Sequence, residues 1–167
     1  MGVDDHRENA PMSVILAIIT VSDTRTEEDD YSGKAIAEIM VNAGHRVSSR
    51  KIVKDEVGEI QGALRELVED DNVQAVIING GTGIAKRDVT LEAVTDFEEK
   101  SIPGFGELFR ALSYPEIGSA AMMSRAAAIV TEGKIVFCLP GSEKAVRLAT
   151  TKLIAPELGH LIWEARR

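Results

Sequence analysis

The sequence predicts an α/β domain built on a mostly parallel sheet. Three observations carry that prediction: continuous apolar runs rich in β-branched residues, helical stripes that alternate with them, and a glycine loop that directly follows one of the runs. Residues 14–21 (Val14, Ile15, Leu16, Ala17, Ile18, Ile19, Thr20, Val21) contain no period-2 alternation. Such a run marks a strand covered on both faces, as in a parallel sheet flanked by helices. Ala35, Ile36, Ile39, Met40 and Ala43 then recur at helical spacing, and Gly44 provides a stop, which predicts a helix over 32–43. Residues 47–53 suit a second strand. Val57, Ile60, Leu64, Leu67 and Val68 form a second helical stripe, and 73–78 a third strand. This βαβαβ order places helices on both faces and ligands beyond the carboxyl ends of the strands. Helices are predicted over 91–100, 105–112 and 120–128. A strand pair follows, 129–130 with 135–139, turning at Glu132, Gly133 and Lys134 as one antiparallel hairpin. From 143 to about 164 the pattern is helical, with a break or kink at Pro156.

At 167 residues one core is expected, since single domains commonly run to about 100–200 residues. Residues 1–11 read as a flexible tail and 12–167 as a single domain. The net charge of -8 argues against a general nucleic-acid binder, which needs a basic stripe to displace counterions, but leaves room for a small anionic ligand. A single cysteine, Cys138, permits no internal disulfide, and there is no Cys/His cluster with zinc spacing. No run approaches the roughly 20 apolar residues of a membrane span, and the acidic start lacks a signal-peptide layout, so a reducing cytoplasm is expected.

The chemistry concentrates at Asn79, Gly80, Gly81, Thr82, Gly83, Ile84, Ala85, Lys86, Arg87, Asp88, Val89 and Thr90. A buried strand running into three glycines lets backbone amides approach a ligand closely, and Thr82, Lys86 and Arg87 add donors and positive charge. The plainer reading of the glycines is a tight strand-to-helix turn. A Walker loop and a dinucleotide fingerprint both fail on spacing. A second loop, Leu139, Pro140, Gly141, Ser142, again joins strand to helix, where Ser142 either caps the helix or helps hold a phosphate. Ser22 and Asp23 follow the first strand. Arg25 is close by, and the run Glu27, Glu28, Asp29, Asp30 reads as a solvated loop. Asp55 and Asp88 either cap the helices that follow them or together bind a hydrated magnesium ion, which takes one or two carboxylates plus ligand phosphates. Arg125 is a phosphate ligand or an interface arginine, and Cys138 an inert core thiol. His6, His45 and His160 form no constellation.

Taken together, Thr20-Val21-Ser22-Asp23, Asn79 to Gly83, Arg87-Asp88-Val89-Thr90 with Glu92-Ala93, Pro103-Gly104-Phe105-Gly106-Glu107, Ser124-Arg125 and Leu139 to Ser142 resemble the MoaB/MogA family of molybdenum cofactor biosynthesis proteins. That family also includes the gephyrin and plant molybdopterin-binding G domains. The resemblance covers residues 13–160. The segment from Glu27 to Asp30 followed by Ser32-Gly33-Lys34, and the stretch 112–118, look like the MoaB branch.

The resemblance implies a three-layer α/β/α sandwich assembled as a homotrimer or homohexamer. It implies binding of molybdopterin and, in active members, Mg-ATP-dependent adenylylation of its terminal phosphate, ahead of a molybdenum-insertion protein acting downstream. By motif, Asp55 and Asp88 become the catalytic pair and the magnesium ligands. Gly80, Gly81, Thr82, Gly83, Arg87, Gly141, Ser142 and Arg125 become phosphate or substrate contacts, with Ser22, Asp23 and Ser32 on the nucleotide or pterin side. Glu143 departs from the family, which commonly has proline two residues after Gly141. With that departure, a non-catalytic pterin-binding or carrier protein is the alternative.

Overall fold

The computed structural model describes residue 2 and residues 8–167. Its six-stranded sheet has the order β2-β1-β3-β6-β5-β4. Strands β1 (Ile15–Val21), β2 (Arg46–Val53), β3 (Ala75–Asn79) and β6 (Lys134–Leu139) are parallel, while β5 (Ala127–Thr131) runs antiparallel to β6 and to the two-residue β4 (Lys100–Ser101). The chain leaves β1 toward β2 and returns to β3 on the other side of β1. The sheet therefore has its topological switch point between β1 and β3, where open α/β sheets bind ligands.

Alternate side chains of the buried strands enter two separate cores. Leu16 and Ile18 of β1, Ile77 of β3 and Phe137 of β6 pack with Ile36 and Met40 of helix α1 (Tyr31–Asn42) and Phe109 of helix α4 (Pro103–Ile117). Ile19, Ile78 and Cys138 point the other way, onto Ile60 and Leu64 of helix α2 (Val57–Glu69) and Ala93 of helix α3 (Thr90–Thr95). This is the three-layer sandwich, and it explains the unbroken apolar runs, since every position on such a strand meets a helix. The Phe105 ring meets Phe137 edge-on at 5.2 Å between centroids, anchoring α4 to β6.

Three of the expected elements are corrected. The helix expected over 91–100 ends at Thr95, and Lys100–Ser101 pairs with β5. The helix expected over 120–128 is a 3₁₀ helix, Gly118–Met123, followed by β5 from Ala127. Ala127 and Ala128 fit a strand because they pair with Cys138 and Phe137 of β6, which a propensity argument does not register. The break assigned to Pro156 lies upstream of it. Helix α5 (Glu143–Ala149) opens into a π turn, Thr150–Ile154, before α6 (Ala155–Ala165). A proline within a helix has no N–H to offer and crowds the carbonyl four residues earlier, and the widened turn relieves that contact.

Of the expected 1–11 tail, residues 1 and 3–7, His6 among them, lie outside the described residues. Pro11 lies against α6, where a Cβ added to Gly159 would come within 2.3 Å of the Pro11 carbonyl oxygen.

The hairpin turn behaves as its sequence suggests. Glu132 and Gly133 both have positive φ, 47° and 70°, the type I′ geometry that suits the twist of paired strands. Glutamate is a poor residue for a left-handed position and asparagine a good one. Glu132→Asn is therefore expected to stabilise the chain by about 0.5 kcal/mol, raising Tm by roughly 1–2 °C in a thermal melt.

Candidate active site

The glycine loop is a rigid object. Gly80 and Gly81 adopt φ of 99° and 69°, open only to glycine at low cost, and each is crowded: a Cβ on Gly80 would lie 2.3 Å from the Val21 carbonyl oxygen, and one on Gly81 2.3 Å from Thr90 Oγ1. The Gly80 N–H donates to the Leu139 carbonyl at 2.9 Å, tying the end of β3 to the end of β6. From the far side, buried Thr90 donates its hydroxyl to the Gly80 carbonyl at 2.7 Å and its N–H to the Gly81 carbonyl at 3.0 Å. With these carbonyls engaged outward, the loop's conformation is fixed before any ligand arrives.

Arg125 holds the remainder of the loop. Its Nε donates to the Gly83 carbonyl at 2.8 Å and its Nη2 to the Asp88 carbonyl at 3.0 Å, while Glu92 receives Nη1 at 2.5 Å. The Arg125 N–H also donates to the Thr82 carbonyl at 3.1 Å. Glu92 sits below the usual carboxylate range because of that guanidinium. Arg125 thus holds the loop by two guanidinium donors and its backbone N–H, with Glu92 anchoring the rest of the guanidinium.

Both aspartates border this loop. Asp55 Oδ1 lies 3.3 Å from where a Cβ on Gly81 would stand, and Asp88 Oδ2 2.7 Å from one on Gly83. Asp88 is oriented by the loop itself, accepting from the Ala85 N–H at 2.9 Å. Asp55 has only 6% of its side chain exposed, and Arg87 is its nearest cation at 3.8 Å. Burial, and then the negative charge of Asp23, push its carboxyl above the usual carboxylate range. Arg87 opposes that rise and Asp88 adds to it. Asp23 in turn accepts from the Asp55 N–H at 3.0 Å. Three carboxylates therefore act on one another at the strand ends, with a single partly engaged arginine to balance them.

The second loop abuts the first, a Cβ on Gly141 coming within 3.3 Å of the Gly80 Cα. Ser142 caps α5, accepting from the Ala145 N–H at 3.2 Å. Ser32 is fully buried and donates to the Gly141 carbonyl at 2.6 Å, and Ser22 Oγ accepts the N–H groups of Thr24 and Arg25 at 3.2 and 3.1 Å. These two serines brace loops. Glu143, the departure from the family, forms an ion pair with Arg147 at 3.0 Å along the first turns of α5. Beside Ser142, a cavity of about 180 Å³ is lined by Phe109, Ser113, Ser124, Pro140 and Leu148.

Thr20 and Asn79, motif residues given no role by the sequence, join a buried polar set beneath the loop. Asn79, fully buried, donates to Thr20 Oγ1 at 3.0 Å, and Thr20 donates to Asp30 Oδ2 at 2.9 Å. The acidic run read as solvated thus contains one buried member: Asp30, 2% exposed, caps α1 through the Gly33 N–H. The signal was present, for an acid three residues before Gly33 at a helix start is an N-cap pattern. Cys138 is buried and its thiol pushed up to about 12 by desolvation, which agrees with an inert core residue.

Fold and site together define an α/β protein with a cleft, bordered by two glycine loops and the Asp55 and Asp88 carboxylates, at the carboxyl ends of parallel strands. Residues 17–160 match the family model described as "Probable molybdopterin binding domain". The chain is 52% identical to "Molybdenum cofactor biosynthesis protein B" of Bacillus cereus, over 100% of this chain and 99% of that one, and 51% identical to the same-named protein of Bacillus subtilis with the same coverage. Among solved structures it resembles a "Molybdenum cofactor biosynthesis protein B" at TM-score 0.90 and 53% identity, covering 95% of this chain and 99% of the other. It also resembles the "tungsten cofactor synthesizing protein MoaB from Pyrococcus furiosus" at TM-score 0.87 and 36% identity, covering 95% and 100%. The chain belongs to the molybdenum cofactor biosynthesis family.

Two predictions follow from this geometry. Gly81→Ala combines a positive φ with a steric conflict at Thr90, and should destabilise the chain by about 1–3 kcal/mol in denaturant melts. Asp55 in the folded chain holds its proton more tightly than in the unfolded chain, so its contribution to stability is greatest at low pH and is lost as pH rises through the raised folded-state value. Asp55→Asn should accordingly melt above the native protein at neutral pH, the gap closing near pH ~4 and below, where the carboxyl is protonated in both states.

Proposed function

We propose that the chain adenylylates molybdopterin with Mg-ATP, releasing pyrophosphate. The observation that carries the reading is the placement of the Asp55 and Asp88 carboxylates on the same glycine loop, over Gly81 and Gly83 respectively. An oxygen of the pterin's terminal phosphate attacks the α-phosphorus of ATP. The new P–O bond forms as the bond to the bridging oxygen of the β-phosphate breaks, and pyrophosphate leaves with that electron pair.

Two anions must be brought together in this reaction, so the protein's contribution is positioning and charge compensation. The amides of the glycine loop and the exposed Arg87 hold phosphate oxygens, while Thr90 and Arg125 keep the loop from rearranging. The residues fit a magnesium ion: Asp55 is buried beside other negative charge with too little positive charge opposite, which is the condition a divalent cation relieves. Among the described residues no group of three or more His, Cys, Asp or Glu forms a complete cage, so Asp55 and Asp88 would hold such an ion only together with substrate phosphates and water. When bound, the ion neutralises charge on the transferring phosphates. Asp88, fixed by the Ala85 N–H, aligns the attacking group.

The second reading is a pterin carrier without turnover. Glu143 favours it, since its carboxylate stands in the first turn after Gly141 and Ser142. Its pairing with Arg147 offsets that charge and tips the balance toward the enzyme.

In either case a homotrimer or homohexamer in the cytoplasm is inferred. Leu108, Ile117 and Met122 are exposed by 57%, 52% and 75%, and another copy of the chain would cover such apolar surface. No helix among the described residues is long and apolar enough to cross a membrane.

Incubation of the purified protein with molybdopterin and Mg-ATP is expected to yield adenylylated pterin and pyrophosphate. Asp88→Asn should lower turnover by about 100- to 1000-fold while leaving pterin affinity within about twofold. A native protein that binds pterin but forms no product is the carrier instead.

A further inference from the structure

One segment, residues 22–33, reaches the 141–142 loop directly and the strand end before Gly80 through Thr20 and Asn79, and Arg25 stands where those contacts converge. Arg25 Nη2 donates to the Gly141 carbonyl at 3.0 Å, and Arg25 Nη1 donates to Ser32 Oγ at 3.1 Å. Ser32 passes its own proton to the same Gly141 carbonyl at 2.6 Å. One carbonyl oxygen thus receives a guanidinium donor and a buried hydroxyl donor. Because the peptide is trans and planar, fixing the Gly141 oxygen toward α1 also fixes the Ser142 N–H in the opposite direction.

Arg25 is itself held from behind. Asp30 Oδ1 lies 4.0 Å from Arg25 Nη1, and Asp30 is the buried end of the chain of hydrogen bonds that runs through Thr20 to Asn79, the residue before Gly80. On the other side, Gly141 leaves little room for more than a glycine beside Gly80, a Cβ there coming within 3.3 Å of the Gly80 Cα, and the Gly80 N–H is bound to the Leu139 carbonyl. The two glycine loops are therefore connected twice: directly at Gly80 and Gly141, and through Arg25, Asp30, Thr20 and Asn79. The guanidinium is the one member of this circuit that touches both α1 and the second loop while remaining 32% exposed, so its removal leaves no fully buried charge except Asp30, which keeps two hydrogen-bond donors of its own.

We infer that Arg25 is a positioning residue for the phosphate chemistry, acting through the Gly141 carbonyl to hold the 80–83 and 141–142 loops in one mutual arrangement. It touches neither Asp55 nor Asp88 and takes no part in the bond changes. This rests on the adenylylation reading for its consequence in turnover, but its structural part is independent of that reading.

The test compares Arg25→Ala, Arg25→Lys and Ser32→Ala with the native chain by amide hydrogen exchange without ligand, by Mg-ATP titration calorimetry, and by steady-state kinetics. In Arg25→Ala, exchange should accelerate in the segments spanning both 80–83 and 141–145 while α2 and β1 keep native protection. Mg-ATP affinity should fall about tenfold, the loss of one charge-assisted hydrogen bond network member. In kinetics, kcat/KM should fall with most of the loss in KM. Arg25→Lys, which reaches a single acceptor, should recover part of the affinity. Ser32→Ala should loosen the same two segments by removing the second donor on Gly141. If Arg25→Ala loosens only its own segment, or if the 80–83 amides keep native protection in all three variants, the positioning role is wrong. Were Arg25→Ala to unfold globally, Ser32→Ala and Arg25→Lys decide by the same exchange criterion. A native chain that binds neither Mg-ATP nor pterin, with both loops still loosened in the variants, removes the adenylylation reading and leaves the positioning role intact.

Discussion

Covering β1, β3 and β6 on both faces is the constraint from which the rest follows. Helices on each side leave no polar surface along these strands, so polar chemistry is confined to their ends. The strand order reverses between β1 and β3, and the loops after β1, β2, β3 and β6 leave the sheet at that carboxyl end. Once the backbone leaves the sheet its N–H and C=O groups still need partners. The cross-loop bonds from Gly80 to Leu139 and from Thr90 to Gly80 and Gly81 satisfy that need locally. The result is a loop whose carbonyls are bound by protein, leaving the cleft to be lined by amides, carboxylates and Arg87.

That economy has an electrostatic consequence. Desolvating Asp55 among Asp23 and Asp88 disfavours its charged form, and the exposed guanidinium of Arg87 compensates only in part. A protein optimised for stability alone would place a neutral residue there. Retaining a buried carboxylate against its own solvation is the behaviour expected of a group whose charge is used, since perturbed carboxyls concentrate where chemistry needs them. Lys134 shows the contrast. It is equally buried and its ammonium is depressed by desolvation, yet it donates to the Leu67 and Asp70 carbonyls at the end of α2, a purely structural use of charge.

What the sequence revealed and what it hid divide along physical lines. The unbroken apolar strands, the α1 and α2 stripes and the glycine loop were readable because periodicity and glycine content report local geometry and two-sided burial. The 120–128 segment was misread because alanine suits a helix intrinsically, and only its place beside β6 makes 127–131 a strand. At the site, the sequence singled out Asp55, Asp88 and the glycine loop, and the structure sets both carboxylates beside that loop. It gave no hint that Arg125 clamps the loop carbonyls or that Ser32 faces Gly141, whereas the burial of Asp30 beside exposed Glu27, Glu28 and Asp29 had a local signal in its N-cap position before Gly33. The first two depend on which side chain meets which carbonyl far along the chain, Arg125 to Gly83 at a separation of 42 and Ser32 to Gly141 at 109.

Glu143 shows how a change of residue type need not change the field at a site. A proline at this position would contribute no charge, whereas a glutamate adds a negative one at the start of α5, next to a loop expected to hold phosphate. Within the helix, however, Glu143 is four residues before Arg147, the orientation in which acid and base meet along one face. Arg147 also lies 3.8 Å from Glu38 on α1, so the pair extends away from the cleft toward the neighbouring helix. The carboxylate is neutralised where it stands and strengthens the contact between α1 and α5. Those are the two helices whose amino ends carry Asp30 and Ser142, so the departure from the family pattern reinforces the frame around the second loop.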